Sequence, residues 1–149
     1  MALRFGPINV FGIIIVIIMM IPNIIFARRF DKDKNKCGNI AMLAAEQIGR
    51  YASITLMFIP LVAGLKFGFR NEAMFLVYAF GNTGLLLAYI LNWWSYFRKQ
   101  SPKKTIILAV IPTCIFLLSG ITLMHWLLVL AAVLFGIGHI YVTKQNNKA

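Results

Sequence analysis

Acidic residues are scarce in this chain. Only 4 of its 149 residues are Asp or Glu, against 15 Lys and Arg. Two of the four, Asp31 and Asp33, lie in the lysine-rich stretch FDKDKNK, where charge balancing is the simplest account of them. The sequence therefore offers no carboxylate cluster of the kind that metal-dependent lipid transferases place inside a membrane. It predicts no metal site.

Cysteine and histidine are almost as rare. Cys37 lies in a basic stretch and Cys114 in an apolar run, without a shared motif, so we expect no disulfide. His125 and His139 fall toward opposite ends of the last apolar run, too far apart to ligate one metal ion or haem together. No cofactor is predicted.

Catalytic motifs are missing as well. The chain has no glycine-rich phosphate loop, no GxSxG and no HExxH. Glu46 and His139 could act as an acid–base pair only if the fold brings two distant segments together. The sequence leans against an enzyme on these grounds.

Polar segments long enough for a soluble domain are also absent from the sequence. The chain is 60% hydrophobic, against about 45–50% for soluble domains, and its mean hydropathy is +0.81. The apolar residues form five runs near the length of about 20 residues that a membrane-spanning helix needs. We therefore predict an all-α bundle of five transmembrane helices, one integral membrane domain over residues 1–149, in the cell membrane. The predicted helices cover about 8–27, 40–65, 73–97, 105–124 and 126–142.

The basic residues lie between the apolar runs and predict an orientation. Eleven fall on one side of the predicted membrane and three on the other, which places the N-terminus outside and the C-terminus in the cytoplasm. The net charge of +11 is thus expected to meet anionic lipid headgroups rather than nucleic acid. The larger set is Arg28, Arg29, Lys32, Lys34, Lys36, Arg98, Lys99, Lys103, Lys104, Lys144 and Lys148, and the smaller is Arg4, Lys66 and Arg70.

A charge pair interrupts the second apolar run. Glu46 and Arg50 are four residues apart, so their side chains meet on one face of a helix. A span ending at Leu65 would have to start near Glu46, because 15 residues from Tyr51 to Leu65 extend only about 22 Å, less than the hydrocarbon core. Arg50 is then expected about one turn inside the membrane. A structural ion pair and a ligand site both remain open.

The same run carries a small-residue ridge, which we define as Ala41, Ala45, Gly49 and Ser53. One small residue every four positions lets a neighbouring helix approach closely. Such a ridge suits packing inside the bundle. It suits equally a subunit that docks on a larger membrane protein.

The third predicted helix has a polar and aromatic stripe. At 100° per residue its members fall within about 100° of one another, which is typical of a cavity wall or of a helix interface joined by hydrogen bonds. Asn23 and His139 lie at a depth similar to that of Glu46 and Arg50, so all four could meet in a cavity open to the cytoplasm. The members of the stripe are Tyr78, Asn82, Tyr89, Asn92, Trp93 and Tyr96.

These features favour a small membrane carrier or ligand-binding protein for an anionic, amphipathic or aromatic small molecule. Arg50 would bind the anionic group, and Glu46 would position Arg50 or exchange a proton. The chain is expected to form a homo-oligomer or to bind a partner membrane protein. The alternatives are a structural or regulatory subunit and a lipid-modifying enzyme. The candidate ligand-binding residues are Glu46, Arg50, Tyr78, Asn82, Tyr89, Asn92, Trp93, Asn23 and His139.

Overall fold

The described part of the chain folds into five helices joined by short connections. A computed structural model of the chain describes residues 8–30, 36–59, 61–62, 65–66 and 68–148. Arg4, Asp31, Lys32, Asp33 and Lys34 thus lie outside the described residues. The helices are α1 (Val10–Phe30), α2 (Ile40–Phe58), α3 (Glu72–Arg98), α4 (Pro102–Thr122) and α5 (Trp126–Lys148), and two short strands, β1 (Leu61–Val62) and β2 (Leu65–Lys66), pair antiparallel between α2 and α3.

Four of the helices, α1, α3, α4 and α5, are long and apolar enough to cross a membrane. The prediction of an all-helical architecture is therefore confirmed, apart from the two-residue strands. Large apolar side chains point outward from several helices, as at Ile17, Leu91 and Leu130, whereas Asn82 and Ser119 are buried between helices. This inversion of the soluble pattern is compatible with lipid around the bundle.

The second helix is shorter than the sequence analysis predicts. A helix over 40–65 is wrong beyond Phe58, because Ile59 is extended and precedes Pro60. A proline disfavours the helical conformation of the residue before it. The 19 residues of α2 extend about 28 Å, and Arg50 lies near the middle of this shorter helix.

The helices alternate in direction and create two distinct ends. At one end, the Asn147 amide donates to Thr105 Oγ1 (2.8 Å) and the Lys36 backbone N–H donates to Asn146 Oδ1 (3.0 Å). We call this the basic end. Within the described residues it carries Arg28, Arg29, Lys36, Arg98, Lys99, Lys103, Lys104, Lys144 and Lys148.

The closest helix contact joins α2 to α5 through glycine. A Cβ atom on Gly49 would lie 2.4 Å from the Phe135 backbone nitrogen, and one on Gly138 would lie 2.4 Å from the Glu46 backbone nitrogen. Neither distance is possible for a real side chain, so only glycine permits this approach. Gly49 and Ser53 of the small-residue ridge are buried. These two members of the ridge are therefore unavailable to an external partner.

We predict that Gly49→Ala destabilises the protein by about 1–3 kcal/mol, because the added methyl group must push the α5 backbone away. The matched control is Gly84→Ala on α3, where an added Cβ has no atom within 4 Å. Thermal unfolding of both variants in detergent measures the difference. Equal stability of the two variants would contradict the proposed close contact.

Candidate functional site

A cavity of about 440 Å³ opens at the basic end of the bundle. All five helices contribute to its wall, together with Lys36 before α2. One part of the wall is aromatic, through Phe26, Trp93 and Tyr96, and Leu108 and Ala109 add apolar surface. The polar part consists of Asn23, Lys36, Arg50, Thr105, His139, Thr143, Asn146 and Asn147.

Three ionisable side chains meet at one oxygen atom in this wall. Arg50 Nη2 contacts Glu46 Oε1, and His139 Nδ1 lies 2.8 Å from the same oxygen. The Glu46 side chain is only 7% exposed, whereas that of Arg50 is 34% exposed. Glu46 is therefore enclosed behind the wall, and Arg50 and His139 present the outer surface of this ionisable cluster, which we define as Glu46, Arg50 and His139.

The helix contact explains why the ionisable cluster forms. The Glu46 backbone packs directly against Gly138. The next residue on α5, His139, therefore lies within reach of the Glu46 carboxylate. The His139 ring also stacks on Phe135, with centroids 4.8 Å apart and planes inclined by 16°. The Arg50 guanidinium lies over the same Phe135 ring, 5.9 Å from its centroid. Contacts between the two helices thus fix the orientation of the imidazole ring and the position of the guanidinium.

A second hydrogen-bonded unit supports the opposite part of the wall. The Asn23 amide donates to the Tyr89 hydroxyl (2.9 Å) and to the Met19 carbonyl (3.0 Å). Trp93 packs edge-on against Tyr89, with centroids 6.2 Å apart. The buried indole N–H of Trp93 faces the Tyr89 hydroxyl, but the geometry falls short of a hydrogen bond. Within the described residues this N–H has no hydrogen-bond partner.

Comparisons of the chain with protein-family models, with curated proteins and with solved structures found no match. The site is therefore interpreted from its own geometry. The residues that the structure describes contain no group of three or more His, Cys, Asp or Glu side chains placed to hold a metal ion.

Six of the nine predicted site residues lie at the cavity. Asn23, Arg50, Trp93 and His139 line the cavity. Glu46 and Tyr89 lie directly behind it, each bonded to a lining residue.

The other three predicted residues lie away from the cavity. Tyr78 accepts a hydrogen bond from the Asn9 amide (3.2 Å) toward the opposite end of the bundle. Asn82 bonds Ser119 of α4 (3.2 Å). Asn92 is half-buried and is not part of the cavity wall. The aromatic stripe of α3 therefore does not line one continuous path.

Sequence analysis missed the polar residues at the mouth. Asn146 and Asn147 belong to an extension of α5, which was predicted to end near residue 142 and ends at Lys148. Asn147 also donates to the Pro102 carbonyl (3.2 Å), so the extension closes one side of the mouth. The polar sequence after residue 142 is typical of a helix leaving the membrane. Thr143 and Asn147 are four residues apart, and this helical spacing is the signal that could have predicted that both lie on one face of α5.

Proposed function

We propose that this protein is a small membrane carrier or ligand-binding protein for an anionic, amphipathic molecule. The observation that supports the proposal most strongly is the cavity at the basic end, which pairs Arg50 and Lys36 with an aromatic wall. Ligand pockets are usually apolar concavities of about 300–1,000 Å³ with a few polar groups that fix orientation. A volume of about 440 Å³ suits a molecule with one or two rings.

The two parts of the wall suggest the chemistry of the ligand. The Arg50 guanidinium can hydrogen-bond a carboxylate, sulfonate or phosphate. Phe26, Trp93 and Tyr96 form a mutually packed aromatic surface, with Phe26 5.4 Å from Trp93 and 5.8 Å from Tyr96. Basic side chains around the mouth raise the local concentration of anions. An anionic group attached to an aromatic or short aliphatic body satisfies both parts.

We predict that Arg50→Gln weakens binding of naphthalene-2-sulfonate about 10- to 100-fold, because the variant loses a charged hydrogen-bond donor. Isothermal titration calorimetry in lipid nanodiscs measures the affinity. The control is Arg70→Gln, an exposed arginine between β2 and α3 at the other end of the bundle. Equal affinities for the Arg50→Gln variant and the unmodified protein would contradict the assignment of the anion site.

The proposed arrangement in the membrane has five spans. We propose that α2 crosses the membrane with the other helices, because it packs on α5, its Glu46 side chain is buried and its Arg50 side chain lines the cavity. Because basic residues are in excess at one end, we propose that this end, and with it the mouth of the cavity, faces the cytoplasm. We expect the protein to form a homo-oligomer or to bind a membrane partner, because its apolar faces are exposed and its helices are few.

This orientation predicts opposite labelling of two engineered cysteines. Arg70→Cys should react with a membrane-impermeant maleimide on intact cells, whereas Lys99→Cys should react only after lysis. Both positions are exposed, and both variants are made with Cys37 and Cys114 replaced by alanine. Labelling of Lys99→Cys on intact cells would reverse the proposed orientation.

A lipid-modifying enzyme is the second candidate function, and one contact favours it. The fold brings His139 Nδ1 within 2.8 Å of Glu46 Oε1, which is the geometry of a histidine general base oriented by a carboxylate. In such a reaction His139 Nε2 would take the proton of an attacking hydroxyl group and return it to the leaving group.

The enzyme candidate predicts turnover that depends on His139. Purified protein incubated with mixed phospholipids should give a new lipid product detectable by mass spectrometry, and His139→Gln should remove at least about 99% of the rate, as expected for loss of a general base. Arg70→Gln serves as the control. Lipids unchanged after prolonged incubation would count against this candidate and leave the binding proposal unaffected.

A further inference from the structure

We propose that His139 Nε2 is a proton-binding site, and that each anion entering the cavity brings one proton with it. This inference rests on the proposed function, because it concerns the same cavity. It adds a second bound species, the proton, and it makes the protein a proton-coupled anion carrier or receptor.

The charge balance of the ionisable cluster is the first step of the argument. Glu46 and Arg50 carry opposite charges and contact each other, so with neutral His139 the cluster has no net charge. Burial of an anion beside this neutral cluster is unfavourable unless another charge compensates it, and Lys36, the other cation of the wall, lies before α2 beside Asn146 at the mouth. One additional positive charge on the wall removes this penalty. Protonation of His139 supplies it.

The hydrogen-bond geometry identifies the nitrogen that takes the proton. An ionised carboxylate only accepts hydrogen bonds, so His139 Nδ1 must donate to Glu46 Oε1 across 2.8 Å. Neutral His139 then has its lone pair on Nε2. The His139 ring lines the cavity, and Nε2 makes no hydrogen bond within the described residues. Nε2 is therefore the ring nitrogen that can accept a proton and then donate it to an anion.

The same contact stabilises the protonated ring. Glu46 lies on the far side of His139 from the cavity and remains negatively charged, as Asp or Glu does behind the histidine of many catalytic pairs. The imidazolium would thus stand between two anions, the buried carboxylate and the ligand. Each anion can accept a hydrogen bond from one ring N–H of the imidazolium.

The other groups around the cavity do not replace His139 in this role. Arg50 on α2 and Lys36 before it are the charged lining residues, and both keep their charge over the physiological range. Tyr96 on α3 is neutral in that range. The lining residues from α1 and α4 are not ionisable, and on α5 the further lining residues are Thr143, Asn146 and Asn147. Histidine is the side-chain type that exchanges a proton in the physiological range, and His139 is the histidine in this wall.

The coupling gives a defined dependence on pH. The protonated protein binds the anion more tightly than the neutral one, so affinity is highest at acid pH. It falls as the pH rises, by at most about tenfold per pH unit, and levels off once His139 is neutral in both the free and the bound protein. The opposite trend would require a proton to leave on binding.

Naphthalene-2-sulfonate is a suitable probe because its sulfonate stays ionised throughout this pH range. Calorimetry in nanodiscs, repeated in two buffers of different ionisation enthalpy, measures protons taken up on binding. We expect uptake approaching one proton per anion at pH values where His139 is neutral in the free protein and protonated in the complex. The matched neutral probe, naphthalene-2-sulfonamide, should bind without proton uptake.

Two variants separate His139 from Glu46. His139→Gln should lose proton uptake and bind the sulfonate with one affinity at all pH values, near the weak affinity of the alkaline unmodified protein. Glu46→Gln leaves a net positive charge from Arg50, so the anion no longer needs a proton. That variant should bind the sulfonate at least as tightly at alkaline pH, with reduced uptake. Binding of the neutral sulfonamide by both variants shows that the cavity remains folded.

The outcomes distinguish this inference from the function on which it rests. If the unmodified protein binds the sulfonate at every pH without taking up protons, the proton site is wrong and the anion cavity stands. Proton uptake that persists in His139→Gln also overturns the assignment, because another group then carries the proton. If neither probe binds at any pH, the proposed function itself fails.

Discussion

The close contact between α2 and α5 is the constraint on which the candidate site depends. Gly49 and Gly138 let the two backbones approach more closely than any side chain would allow. That approach brings His139 to the Glu46 carboxylate and holds Arg50 over Phe135. Without it, α2 would carry a carboxylate and a guanidinium into an apolar bundle with only each other as partners, an arrangement that is costly in a membrane.

Polar side chains elsewhere in the bundle have a different role. Asn9 with Tyr78, and Asn82 with Ser119, form closed pairs between neighbouring helices. These pairs satisfy buried polar groups and fix the helices relative to each other. The ionisable cluster differs because Arg50 and His139 also reach a cavity. Access to the cavity therefore distinguishes the candidate site from polar residues that join helices.

The differences between prediction and structure have local physical causes. Helix α2 stops before Pro60, although hydropathy remains high through Leu65, because hydropathy averages over a window and ignores the backbone restriction before proline. Five members of the stripe on α3 are buried, Tyr78, Asn82, Tyr89, Trp93 and Tyr96, whereas Asn92 is half-buried. Helical spacing does not tell which neighbour each residue meets: Tyr89 bonds Asn23 of α1, whereas Asn82 of the same face bonds Ser119 of α4.

The sequence by itself determined the helical architecture, the membrane-length apolar segments and the i, i+4 contact of Glu46 with Arg50, because composition and helical spacing act over short distances along the chain. Only the tertiary structure decided that His139, 93 residues after Glu46, joins that pair, and that Asn23 and Trp93 face the same cavity. Those contacts depend on which helix faces meet. In this protein, glycine positions whose close packing partners are far away in sequence set that choice.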